Sequence, residues 1–374
     1  MSKGAGRRLD YDLLRVACML GVVYLHTAAD PLRLAEGNLW HFANLASSLA
    51  TAAVPLFFML SGALLLSEEK TADLSYLFRV RLPKILVPLL AWSAVVVAAT
   101  LHREGPAEAL SILNALPSTP AVVPYWFVYA LLPMYLISPL LKKMADGLDS
   151  RHWDYLTALW FALTLGMNTL HDFLPIGSAV RTFCTIHWTL NLNMVGGYLG
   201  YFLLGARLAR VKRTPPRPLL WGGAAAAYAV IALGTWQGTR AAGAYVESFK
   251  SYLHLFAAVL AAALFLLLRS YAGERRSNRA LALLSGMSFG IYLFHPLAIA
   301  FWQKEHPLFQ GWELAGLGWH LAFFGVVLLS CLTVVFLLYS VKPLCYLFTG
   351  QPFSAACRDG NLVSLLRGGG SKER

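Results

Sequence analysis

The chain has 374 residues, of which 57% are hydrophobic and only 13% charged, and its mean hydropathy is +0.57. That is more apolar surface than a soluble core requires, which excludes an ordinary soluble domain and implies an integral membrane protein surrounded by lipid. The net charge of +12 needs no nucleic-acid partner, because membrane topology by itself calls for a basic inner face.

Taken in order, ten apolar segments of spanning length are predicted, near residues 10–30, 42–66, 83–101, 124–141, 154–172, 190–208, 219–236, 251–268, 281–302 and 319–341. The connections between them are short and leave no room for a soluble domain. The expected fold class is therefore all-α, a polytopic integral membrane protein with about ten transmembrane helices. Residues 1–345 form the transmembrane domain and the Gly-rich residues 346–374 read as a polar cytoplasmic tail. With the N-terminus in the cytoplasm, 24 of the 31 Lys and Arg fall on the inside, 6 on the outside and Arg15 within the first helix. This asymmetry orients the chain with both termini cytoplasmic. The basic start followed by an apolar run also has the outline of a signal peptide, but Asp12 and Arg15 interrupt its hydrophobic region.

The first segment carries the most informative residues. A charge in hydrocarbon costs at least a few kcal/mol, so Asp12, Arg15 and His26 on one spanning helix call for a functional reason. At about 100° per residue, His26 returns to within roughly 20° of Arg15, about 16 Å further along the axis. Asp12 falls on the same stripe, spaced i,i+3 to pair with Arg15 and lower the cost of both charges. On this reading, removing Arg15 leaves Asp12 as an unpaired carboxylate. The five cysteines lack any CxxC spacing, and there is no dinucleotide fingerprint, phosphate loop or HExxH, so neither a disulfide framework nor a metal is expected. No internal repeat is evident, which weighs against a saccharide or lipid transporter or flippase, the alternative class.

From Asp12-Leu-Leu-Arg15 and the ten-residue interval to His26, the chain resembles the membrane-bound acyltransferase-3 family of bacterial O-acyltransferases. The resemblance continues through Val54-Pro-Leu-Phe-Phe-Met-Leu-Ser61-Gly62, Arg81-Leu-Pro-Lys84-Ile-Leu-Val-Pro88 and Trp126-Phe-Val-Tyr-Ala-Leu-Leu-Pro-Met-Tyr135. It extends to Gly200-Tyr-Phe-Leu-Leu-Gly205 and Gly290-Ile-Tyr292-Leu-Phe-His295-Pro. It looks most like the branch that acetylates surface polysaccharides, which includes the enterobacterial common antigen O-acetyltransferase. Two positions depart from the pattern. Lys84 replaces the second Arg of an RxxR pair, keeping charge but losing bidentate phosphate contacts, and Pro124 stands where this branch often has a His.

The resemblance implies an acetyl-CoA-dependent O-acetyltransferase in the bacterial inner membrane, acting on a saccharide or lipid-linked saccharide. Membrane lipids surround it, and assembly into a homo-oligomer is left open. The chemistry of the residues is consistent with such a reaction. Arg15, Arg81 and Lys84 suit a basic mouth for a polyanionic acyl-CoA, and His26 suits a general base for an acceptor hydroxyl. Ser61 offers an oxyanion donor or, equally well, part of a small-residue packing notch. Trp126, Tyr292 and His295 are candidates for the acceptor side, with a helix carbonyl as the other expected partner of His295.

Overall fold

The computed structural model describes residues 7–175, 177–186, 196–273, 275–309 and 316–366. Its main helices are α1 (Leu9–Thr27), α2 (Gly37–Ala50), α3 (Ala53–Leu65), α4 (Pro83–Glu104), α5 (Trp126–Leu136), α6 (Ser138–Gly147), α7 (Ser150–Trp160) and α8 (Met167–Phe173). They continue as α9 (Gly197–Arg210), α10 (Arg217–Ala242), α11 (Leu255–Ala272), α12 (Arg279–Ala300), α13 (Leu317–Ser340), α14 (Lys342–Thr349), α15 (Phe353–Asp359) and α16 (Leu362–Leu366). The one pairing of β type among the described residues is an isolated antiparallel bridge between Arg8 and Arg276.

The protein is an all-α polytopic membrane protein. Length and composition support six spans, Gly37–Leu65, Leu74–Glu104, Arg217–Ala242, Ser248–Ala272, Arg279–Glu305 and Leu317–Ser340, and a seventh if Val123–Leu136 and Ser138–Gly147 form one bent span. Six of the ten expected segments thus meet the length and composition of a span, and a seventh, 124–141, does so if the bent pair is one span. Of the other three, 10–30 is the 19-residue α1 with its charged first turns, and 154–172 is divided by a π-helical turn at Phe161–Gly166. The segment 190–208 begins outside the described residues, as do Lys3 and the tail residues 367–374.

The chain divides into two compact units. Unit 1 holds the N-terminal segment to Met19, Asp73–Leu136 and the C-terminal part from Arg276, and unit 2 holds Leu20–Ala72 and Ile137–Arg275. Helix α1 belongs to unit 1 as far as Met19 and to unit 2 from Leu20.

In unit 1, Asn278 caps α12 by accepting from the Leu281 amide at 2.8 Å, and α12 packs on α13. Helix α4 packs against α14. Trp92 joins them, its indole N–H donating to the Phe348 carbonyl at 3.0 Å while its ring lies 4.8 Å from Phe348 and 5.1 Å from Phe294. Gly350, at φ +67°, then lets the backbone turn against the start of α4, where a Cβ would stand 2.1 Å from the Lys84 carbonyl oxygen. The residues expected as a tail, 346–374, include the end of α14 and all of α15 and α16, and among them Thr349, Ala356, Asp359 and Asn361 are buried.

In unit 2, α3 and α9 cross at backbone contact. A Cβ on Gly62 would lie 1.8 Å from the Phe202 carbonyl oxygen, and one on Gly205 would lie 1.9 Å from that of Met59. Two glycines therefore face each other's neighbouring backbone, the arrangement that membrane helices use where apolar burial alone cannot drive association. Asn44 donates to the Ala232 carbonyl at 2.9 Å, and the buried Lys250 ammonium donates to Asn44 Oδ1 and Ser47 Oγ, both at 2.8 Å.

The α3–α9 crossing generates a test. Gly62→Ala and Gly205→Ala should each cost about 1–3 kcal/mol through overpacking against backbone that cannot yield. Gly222→Ala, at a position where a Cβ meets nothing within 4 Å, serves as the control. Thermal unfolding of the purified variants should show lowered midpoints for the first two alone. A wild-type midpoint for Gly62→Ala would contradict the close crossing.

Candidate functional site

The sequence places two arginines just before α1 and two aspartates in its first turns, and the fold gives each a fixed partner. The Arg7 carbonyl accepts from the Ser277 amide at 2.9 Å, which with the bridge from Arg8 to Arg276 holds the segment ahead of the helix. Arg8 pairs with Asp10 at 2.6 Å and lies over the Tyr11 ring at 4.4 Å. Arg7 turns the other way, toward Asp12.

Asp12 is 2% exposed and accepts from four donors. Arg7 Nη2 reaches its Oδ1 at 3.0 Å and Arg7 Nε its Oδ2 at 3.1 Å. Arg15 Nη1 reaches Oδ1 at 3.2 Å and Ser285 Oγ reaches the same oxygen at 2.6 Å. Ser285 Oγ in turn accepts from Arg7 Nη2 and Arg15 Nη1, both at 2.8 Å. The remaining arm of Arg7 ends on Asp359, with Nη1 2.6 Å from Oδ2, and the Tyr339 hydroxyl donates to that oxygen at 3.1 Å. Burial works against the Arg7 charge, but Asp12 and Asp359 outweigh it and hold its pKa above the ordinary arginine value.

Two guanidiniums and two carboxylates leave this cluster with no net charge. The i,i+3 pair of Asp12 and Arg15 forms, but the expectation that Asp12 depends on Arg15 alone is corrected. Without Arg15, the carboxylate still accepts from Arg7 and Ser285. The reason is tertiary: Arg7 and Ser285 come from other segments of the chain, and no helical spacing reveals them.

Other sequence-predicted residues fall in the same unit. Arg81 closes the π-helical turn Leu77–Arg81, 5.2 Å from the Tyr76 ring, and lies within electrostatic reach of Lys84 in the first turn of α4. Tyr135 lies in the field of both Arg15 and Arg81. Asp12, Arg15, Arg81 and Lys84 all belong to unit 1, and Tyr135 interacts electrostatically with two of them. Trp126 begins α5, half-buried and edge-on to Phe127. Tyr292 is buried against Phe127 and Phe289, and its hydroxyl donates to the Pro124 carbonyl. His295 is fully buried, with Nδ1 2.5 Å from the Tyr292 carbonyl oxygen, the helix-carbonyl partner named as the alternative.

His26 and Ser61 belong to unit 2. His26 is half-buried in the last turn of α1, and half-buried Ser61 sits on α3 next to the Gly62 crossing. Arg7, Ser285, Tyr339 and Asp359 were not legible as site residues. The one hint was Asp359, an acid in a C-terminal segment otherwise dominated by Arg and Lys. No group of three or more metal-ligating side chains occurs among the described residues.

Residues 8–339 match the profile of an acyltransferase domain. No curated protein and no solved structure matches the chain.

The cluster geometry fixes an order of stabilities. Asp12→Asn leaves two guanidiniums facing each other without their shared carboxylate, and should cost about 3–5 kcal/mol, the range for breaking a buried ion pair. Arg15→Gln should cost less, because Asp12 keeps Arg7 and Ser285. Thermal unfolding of the two purified variants would show the order, and a reversed order would contradict the shared-carboxylate arrangement.

Proposed function

The chain belongs to the acyltransferase-3 family, and on that premise we propose that it moves an acetyl group from cytoplasmic acetyl-CoA to a hydroxyl of a lipid-linked or extracytoplasmic surface saccharide. The observation that carries this reading is the make-up of α1, a single helix over Leu9–Thr27 with the Asp12–Arg15 pair near its start and His26 in its last turn. Eleven helical steps lead from Arg15 to His26, a rise of about 16 Å, so an extended donor arm lying along this helix would present its thioester well away from its phosphates.

The proposed roles follow from chemistry. Lys84 and Arg81 supply cations for the donor phosphates beside Arg15, whose own charge Asp12 balances. The neutral His26 imidazole takes the proton of the acceptor hydroxyl as its oxygen attacks the acetyl carbonyl. The carbon–sulfur bond then breaks, and the imidazolium returns the proton to the departing CoA sulfur, so protons balance over the cycle. Ser61 is assigned to the oxyanion formed at that carbonyl, and Trp126, Tyr292 and His295 to the acceptor side. The membrane is assigned as the bacterial inner membrane on the family, and both termini are assigned to the cytoplasm on the distribution of Lys and Arg.

His26→Ala tests the reading. Loss of a general base should lower kcat by about 10²-fold or more while acetyl-CoA affinity stays near the wild-type value. Turnover and donor binding would be measured on purified protein that remains monodisperse in detergent. Near-normal turnover would remove His26 from catalysis.

A further inference from the structure

The C-terminal segment that follows the last long helix makes specific contacts at two places in unit 1, the backbone at the start of α4 and the Arg7 guanidinium. At one place the Gly350 turn presses on the Lys84 carbonyl, and Phe348 accepts from Trp92 of the same helix. At the other, Asp359, 352 residues from Arg7 in sequence, grips its guanidinium at 2.6 Å. This segment is anchored on the end of α13. Asn361 donates to the Tyr339 carbonyl at 3.3 Å, and Ser340 Oγ accepts from the Leu362 amide at 3.1 Å.

We propose that Asp359 is a positioning residue for the acyl donor, acting through Arg7 on Arg15. The inference rests on the reading that Arg15 lies at the donor's phosphates, and adds to it a dependence on the C-terminal segment. Asp12 Oδ1 is shared by Arg7, Arg15 and Ser285, and Arg15 makes one contact to Asp12, at 3.2 Å, where Arg7 makes its closest at 3.0 Å and also reaches Oδ2. Arg7 can share that oxygen because its other arm is held by Asp359, which supplies the second negative charge. Without Asp359, two guanidiniums contend for one carboxylate and the cluster carries an excess positive charge. Arg7 is then drawn wholly onto Asp12, and Arg15, with the weakest hold, is displaced. Ser285 transmits the change because its hydroxyl accepts from both arginines.

The test compares CoA binding and steady-state kinetics of the full chain, purified in detergent, for wild type, Asp359→Asn, Arg7→Gln and the double variant. Asp359→Asn should weaken CoA binding and raise the donor KM by about three- to tenfold, the range of coupling within one shared network. The kcat at saturating donor and the acceptor KM should stay within about twofold. Because Asp359 acts through Arg7, the double variant should be no worse than Arg7→Gln. Should Asp359→Asn not give monodisperse protein, Arg7→Lys, which keeps the charge but cannot span two carboxylates, carries the same expectation. A lowered thermal midpoint with unchanged CoA affinity would make Asp359 a structural latch only and overturn the proposal, whatever Arg15→Gln does. Absence of CoA binding by the wild-type protein would remove the donor reading itself, and the proposal with it.

Discussion

One buried carboxylate, Asp12, orders the polar interior of unit 1. Three residues donate to one of its oxygens, and a bare carboxylate in that position would carry a penalty of several kcal/mol. The penalty is met by bringing together Arg7 from the segment ahead of α1, Ser285 on α12 and Arg15, a neighbour of Asp12 on its own helix. A second aspartate then balances the second arginine. The charge balance has a consequence for ligand binding. Arg15 is already compensated within the cluster, so additional cations are needed where a polyanionic donor is to be held. Arg81 and Lys84 are the ones within reach of each other.

Both units use side chains that end on backbone carbonyls, as with Trp92 on Phe348, Tyr125 on Leu293 and Tyr292 on Pro124 in unit 1, and Asn44 on Ala232 and Trp160 on Gly197 in unit 2. Each satisfies a polar group that lipid cannot. Both also use close backbone approach at glycine, at Gly350 in unit 1 and at Gly62 and Gly205 in unit 2, where Lys250 with Asn44 and Ser47 adds to it. The two expectations for Ser61 need not compete. Its neighbour Gly62 makes the packing notch, and that crossing holds the backbone from which Ser61 projects.

Local pattern made part of this legible. The apolar runs gave the six spans that length and composition support and the bent pair that would make a seventh, and the i,i+3 spacing gave the Asp12–Arg15 pair at 3.2 Å. The choice left open for His295 included the helix carbonyl it meets. What local pattern could not show was pairing over distance. Arg7 and Asp359 stand 352 positions apart, and Arg7 reads from sequence as one more inside charge. Asp359 sits in a segment whose Gly-rich end resembles a plain tail, although its preceding residues are buried. Segment counting failed to gain support where charged turns or a π-helical turn interrupt apolar runs, as at α1 and at Phe161–Gly166.

The central proposal is that this membrane acyltransferase modifies a lipid-linked or extracytoplasmic surface saccharide. Mass spectrometry of the surface and lipid-linked glycans from cells with and without the intact chain tests it most directly. The account expects O-acetyl groups on at least one glycan to disappear with the protein and to return when the wild-type chain is resupplied. Glycans with identical acyl content in both cell populations would contradict it.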